Sequence, residues 1–167
     1  MKVVFVIAKS NFRDEELFHT KEEIEAKGIE TVIASIEKGE CLGKMGGKIT
    51  AEFSLEEIDS EEFDAIIFVG GVGAETFFNN ETALSLAKSF FVEGKVVAAI
   101  CIAPSILANA GLLKGKKVTS FPSEESNLKE KGAIYSGKPV EVDGKIITAN
   151  GPGSARVFGQ KIALLLS

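Results

Sequence analysis

Uninterrupted apolar runs alternate along this chain with segments that mix apolar and charged residues at helical spacing. Val3 to Ala8 (VVFVIA) is an apolar run of the kind a strand shows when both its faces are covered. Glu15 to Lys27 sets Leu17, Ile24 and Ala26 among charges, which predicts a helix, and Gly28 ends it. Thr31 to Ala34 reads as the next strand. The glycine-rich stretch from Glu40 to Phe53 reads as a strand or hairpin excursion, followed by the acidic turn SLEEID. Ala65 to Val69 (AIIFV) is again a buried strand and ends in Gly70-Gly71. A helix is predicted from Glu81 to Glu93. Val96 to Ile100 (VVAAI) is a fourth parallel-type strand that runs into Cys101 and then a helix through Leu113. Lys117 to Ser120 is short and extended, and Glu124 to Lys131 is a polar helix. Val140 to Val142 and Ile146 to Ala149 flank Asp143-Gly144, a hairpin signal. The last helix follows Gly151-Pro152-Gly153 and carries Val157, Ile162 and Leu165.

This alternation predicts an α/β fold: an open, mostly parallel sheet with helices on both faces. No repeat, linker or low-complexity segment interrupts it, so residues 1–167 read as a single domain. Binding sites in such sheets lie beyond the carboxyl ends of the strands. The first helix start, Gly70-Gly71 and Cys101 all fall at that end.

Composition narrows the function classes. The 167 residues carry a net charge of −5 with scattered Lys and Arg, so no basic face for nucleic acid is written here. No apolar run is long enough to cross a bilayer. The opening MKVVFVIAKS lacks a small-residue cleavage site and reads as a buried strand rather than a signal peptide. Cys41 and Cys101 stand in different contexts and read as free thiols of a reducing, cytoplasmic compartment. His19 is the only histidine, which leaves no His/Cys cluster for a metal.

Cys101 carries the candidate chemistry. The strand stops at it and Pro104 opens the next helix, which puts the thiol on a tight, exposed strand-to-helix turn. Helix amides pointing at the sulfur favour a thiolate, as in a nucleophile elbow, although the flanking glycines of that motif are missing. A buried, inert core cysteine is the alternative. Gly70 and Gly71 allow backbone N–H groups close to a ligand, for an oxyanion hole or an ordinary strand-ending turn. Glu16 begins the helix after the first strand. A carboxyl beside a thiolate is tolerated if it keeps its proton, and it can then donate and shuttle that proton. Asp14 and Glu15 compete for the role, and a solvated acidic helix start is the plainer account.

Taken together, Asp14-x-Glu16-Leu17, FVGG at 68–71, AAICIAP at 98–104, TSFPS at 119–123 and TANGPGSA at 148–155 resemble the ThiJ/PfpI superfamily, in its parkinsonism-associated deglycase and YajL-like branch. The resemblance covers essentially the whole chain. It implies a flavodoxin-like three-layer sandwich, usually a homodimer, with no cofactor. It also implies a reactive cysteine at Cys101, a protonated glutamate at Glu16 and a glycine-amide pocket at Gly70 and Gly71. The protease-like branch has a histidine directly after the nucleophile, where this chain has Ile102. The deglycase branch often has one where Phe121 stands. The expected activity is a metal-free glyoxalase or deglycase reaction on a small carbonyl substrate, with the amides of Gly71 and Ile102 holding the oxyanion. An oxidisable stress-sensing or chaperone protein is the alternative, and a cysteine peptidase ranks last. Phe12, Val72, Ile102 and Phe121 are expected as pocket walls. His19, one turn after Glu16, could approach the site or be an ordinary helix histidine. Cys41 reads as incidental or as a secondary oxidisable thiol.

Overall fold

The computed structural model describes residues 1–167. Its elements run β1 (Lys2–Val6), β2 (Ser10–Phe12), α1 (Asp14–Glu25), β3 (Glu30–Ser35), β4 (Gly39–Gly43) and β5 (Lys48–Ala51). There follow β6 (Phe53–Ser54), β7 (Ala65–Phe68), α2 (Glu81–Val92), β8 (Val96–Ile100) and α3 (Pro104–Asn109). The chain closes with β9 (Lys117–Val118), α4 (Glu125–Glu130), β10 (Ile134–Tyr135), β11 (Val140–Asp143), β12 (Ile146–Ala149) and α5 (Ala155–Leu165).

Seven strands form the central sheet in the order β11-β12-β8-β7-β1-β3-β6. All neighbours are parallel except the edge hairpin of β11 and β12. The helices α1 and α5 pack on each other and on one side of the sheet, while α2 and α3 pack on β7 and β8. Every residue of β8 and β12 is buried, as the apolar runs require for strands covered on both faces. Each fully buried Val or Ile there contributes roughly 1.5–3 kcal/mol relative to exposure. The result is the flavodoxin-like sandwich expected from the sequence.

Register places the site. Val6 pairs with Phe68, Phe68 with Ala99, and Ile100 with Ala149. Strands β1, β7, β8 and β12 therefore end nearly level, and the segments leaving them meet at one edge.

The structure sharpens the sequence expectation at three places. The helix after Cys101 ends at Asn109, not Leu113. Gly111 adopts φ +79°, its N–H donates to Ala108 O (3.0 Å), and the Leu112 N–H donates to Leu107 O (3.1 Å). That is a Schellman C-cap, and it stops the helix although the sequence stays apolar. The excursion after β3 is the antiparallel hairpin β4–β5, and β2 adds to it as a third strand. Cys41 lies in that hairpin with no exposed surface, so it is a core residue and not an accessible thiol.

Candidate active site

Cys101 follows the last residue of β8 at φ +65°, a left-handed conformation uncommon for any residue but glycine. Two backbone hydrogen bonds hold it there. Its N–H donates to Ala149 O at the end of β12 (2.9 Å), and its carbonyl accepts from the Phe121 N–H (2.8 Å). Anchoring on both sides is what keeps a strained turn in place.

Glu16 comes to the same point from α1. Its side chain is fully buried. The Arg13 N–H donates to Gly70 O (2.9 Å) and so ties the start of α1 to the turn after β7. Gly70 makes the meeting possible. A Cβ at that position would lie 2.5 Å from both Cys101 Cβ and Glu16 Oε1, and 2.7 Å from Ile100 O. At Gly71, φ is +95°, and a Cβ would lie 2.5 Å from Arg13 N and 2.6 Å from Asn11 O. Both glycines are needed for close approach, the second also for its backbone angle.

The three consecutive acids at the start of α1 have separate partners. Asp14 accepts the N–H groups of Met45 (2.8 Å) and Gly47 (2.7 Å) and clamps the β4–β5 turn against the site. Glu15 forks onto Arg13 through Nε and Nη2, both at 3.0 Å. Glu16 alone points inward. Neither of its carboxyl oxygens has a hydrogen-bond partner of full geometry; the Cys101 sulfur and the Gly70 N–H are its polar neighbours and favour its charged form, but burial outweighs them.

Burial pushes the Glu16 carboxyl up to about 7. It also pushes the Cys101 thiol up to about 12, with the neighbouring Glu16 charge as the next cause, while the Gly71 and Ile102 N–H groups act in the opposite direction. The expectation of an exposed thiolate made by helix amides is therefore corrected. Cys101 is only 9% exposed, and desolvation outweighs the amides. Two adjacent negative charges are strongly disfavoured, so the pair is one unit that holds one proton and one negative charge over a wide pH range.

A cavity of about 270 Å³ opens onto the pair. Val72, Ile102 and Phe121 form apolar wall, and Gly71 lines it with them. Phe12 is not a wall: its side chain is fully buried and packs edge-on against Phe18, ring centroids 6.1 Å apart. Nor does His19 line the cavity, although it lies one turn from Glu16. Arg13, Lys44, Glu75, Ser123 and Pro152 also line it, and sequence reasoning missed them. Arg13 adjoins the acidic triplet and Pro152 falls in the GPG motif, so both left a signal. Lys44, Glu75 and Ser123 read as ordinary surface residues. No cluster of three or more His, Cys, Asp or Glu is placed to hold a metal ion. A wider groove of about 590 Å³, between the last turns of α1 and α5, is lined by no cysteine or histidine.

The DJ-1/PfpI family pattern matches residues 1–164, and the chain belongs to that family. Among individual proteins, it is 44% identical over 164 residues to MJ0967 of Methanocaldococcus jannaschii, covering 96% of this chain and 80% of that one. It is 36% identical over 166 residues to the deglycase PH1704 of Pyrococcus horikoshii, covering 99% of each. A crystal structure of a ThiJ/PfpI domain protein from Brachyspira murdochii superposes with a TM-score of 0.97 at 36% identity, over 99% of this chain and 95% of that one.

Proposed function

We propose that this protein is a cofactor-independent enzyme of the deglycase and glyoxalase type, acting on reactive 2-oxoaldehydes such as methylglyoxal. The observation that carries this is the buried Glu16 carboxyl packed against the Cys101 thiol in a small cavity with both apolar and charged walls. The deglycase name of the Pyrococcus relative supports it.

The Glu16 carboxylate takes the Cys101 proton as the sulfur adds to the aldehyde carbon. A C–S bond forms and the C=O π bond opens to an oxyanion, which the Gly71 and Ile102 N–H groups stabilise. Glu16 protonates that oxygen and becomes a carboxylate. It then removes the hydrogen from the former aldehyde carbon, giving an enediolate, and returns the proton to the adjacent carbon. The oxygen-bound proton moves likewise to the neighbouring oxygen. The product is a 2-hydroxyacyl thioester on Cys101. Water cleaves it to the hydroxy acid and regenerates the thiol. Overall, one 2-oxoaldehyde and one water give one 2-hydroxy acid, with no net oxidation.

The test is methylglyoxal consumption without glutathione. Wild type is expected to convert it to lactate, Cys101→Ala to lose the activity, and Glu16→Gln to retain only a small residue. Inactive wild type with a reduced thiol would rule the reading out.

The rate should also follow the pair's charge. It is expected to rise as the pair loses its first proton near pH 7 and to fall only as the second leaves, towards about 12. A rate independent of pH through neutrality would show that this pair does not carry the chemistry.

Peptide hydrolysis is not favoured. Ile102 follows the nucleophile, and the single histidine does not line the cavity, so no imidazole is placed as general base.

A further inference from the structure

We propose that Arg13 is a positioning residue that acts through charge: its guanidinium is the counter-cation for the single negative charge shared by Cys101 and Glu16, and Glu15 limits how much of its field reaches them. This rests on reading that pair as the reacting unit, but it is measured on the thiol itself and needs no turnover.

The geometry is specific. Arg13 lines the same cavity as Cys101 and Glu16. Its N–H is bonded to Gly70 O (2.9 Å), and its carbonyl accepts from the Glu16 N–H (3.1 Å), so its backbone is fixed against both halves of the pair. The fork to Glu15 uses two of the five guanidinium N–H groups and sets the orientation of the plane. Glu15 itself does not line the cavity. Arg13 therefore binds the Glu15 carboxylate and also lines the cavity that holds the buried pair.

The other charged groups around the cavity do not replace it. Lys44 enters from the β4–β5 turn and Glu75 from the turn after β7. They carry opposite charges, both are exposed, and neither has an ion-pair partner. The walls from the turn before α3, from the segment before α4 and from the turn before α5 are Ile102, Phe121, Ser123 and Pro152, none charged. After the Cys101 thiol and the Gly70 N–H, the Arg13 cation is the next group that favours the Glu16 anion, and it is the nearby charge that does so. In keeping with this, the Arg13 charge lowers the proton affinity of Glu16, and the charges of Glu16 and Cys101 raise that of Arg13.

The experiment is the pH profile of Cys101 alkylation by iodoacetamide, located by peptide mass, in the full chain. Arg13→Met is expected to move the inflection near pH 7 upward by about half a unit, slowing alkylation about threefold at neutral pH. Glu15→Gln should move it the other way and speed alkylation by a similar factor. Arg13→Lys keeps a charge and should recover part of the loss. Arg156→Met, whose partners are Glu22 and Glu23 far from the cavity, should leave the profile unmoved. Arg13 is partly exposed, so high salt should shrink the first two effects. The proposal is overturned if Arg13→Met and Glu15→Gln shift the profile in the same direction, if neither shifts it, or if the shifts ignore salt. A change in substrate KM with an unmoved thiol profile would overturn it as well.

Discussion

Glu16→Gln is expected to yield a protein that turns over poorly and is more stable above neutral pH. In the folded chain, burial raises this carboxyl from its ordinary 4.5 to about 7. Between those values the native state binds more protons than the unfolded chain, so stability falls as pH rises through that interval. The interval corresponds to about 3 kcal/mol, lost in full above about pH 7. Gln has nearly the same shape and no charge, so it avoids the loss. For a domain of this size the gain at mildly alkaline pH should raise the melting temperature by on the order of 5–10 °C. Well below pH 4.5, where Glu16 is protonated in both states, the gain should vanish. Turnover should fall roughly 10²- to 10⁴-fold, the usual scale for a lost general acid–base. Thiol alkylation should persist, because the Gln amide can still donate to sulfur and no longer places a negative charge beside it. Thermal melts at two pH values together with the methylglyoxal assay decide this. Equal melting temperatures for wild type and variant at alkaline pH would mean that Glu16 is not held at a cost. A destabilising charge retained at a reacting centre is the usual form of a conflict between stability and activity.

The two halves of this site were not equally legible in the sequence. Strands β1, β7 and β8 are apolar runs that could only be covered on both faces, and once they are parallel their ends must share an edge. Gly70, Gly71 and Cys101 follow from that alone. The two-residue strands β6 and β10 are too short to carry a period and were not foreseen. Asp14, Glu15 and Glu16 could not be told apart by composition. Successive helix positions point about 100° apart, so only one of three neighbours could face the thiol, and the fold decides which. The charge state was misread for a different reason. The helix start and its amides are visible in the sequence, but the depth of the thiol is set by Phe121, Gly70 and Ala149, which lie 20 or more positions away in the chain. Depth is the larger effect. Lys44 and Glu75 reach the cavity from turns whose position depends on the Asp14 clamp and on Gly71.

Gly70→Ala should separate the steric requirement of the site from its backbone requirement. Gly70 does not have a positive φ, so alanine is permitted by its backbone. Its methyl, however, would stand 2.5 Å from Cys101 Cβ and from Glu16 Oε1, and 2.7 Å from a fixed carbonyl, Ile100 O. The Glu16 carboxyl is the easiest of the three to displace, because it has no hydrogen bond of full geometry to hold it. The methyl should therefore push Glu16 off the sulfur. Overpacking of this kind costs about 1–3 kcal/mol. A displacement on the order of 1 Å between reacting groups costs about 10²-fold in rate. We therefore expect a folded protein with a modestly lowered melting temperature, at least a 10²-fold loss of turnover, and an alkylation profile shifted because the thiol has lost its partner. Gly71→Ala should be worse in stability, since its methyl meets the backbone of Arg13 and Asn11 at a φ of +95°. Gly153→Ala, where nothing lies within 4 Å of the added carbon, should be silent in both measurements. If Gly70→Ala kept wild-type turnover, the close Glu16–Cys101 approach would not be what the reaction needs. If Gly153→Ala were as damaging as Gly70→Ala, the loss would reflect glycine replacement near the sheet edge and not the wedge between the two reacting groups.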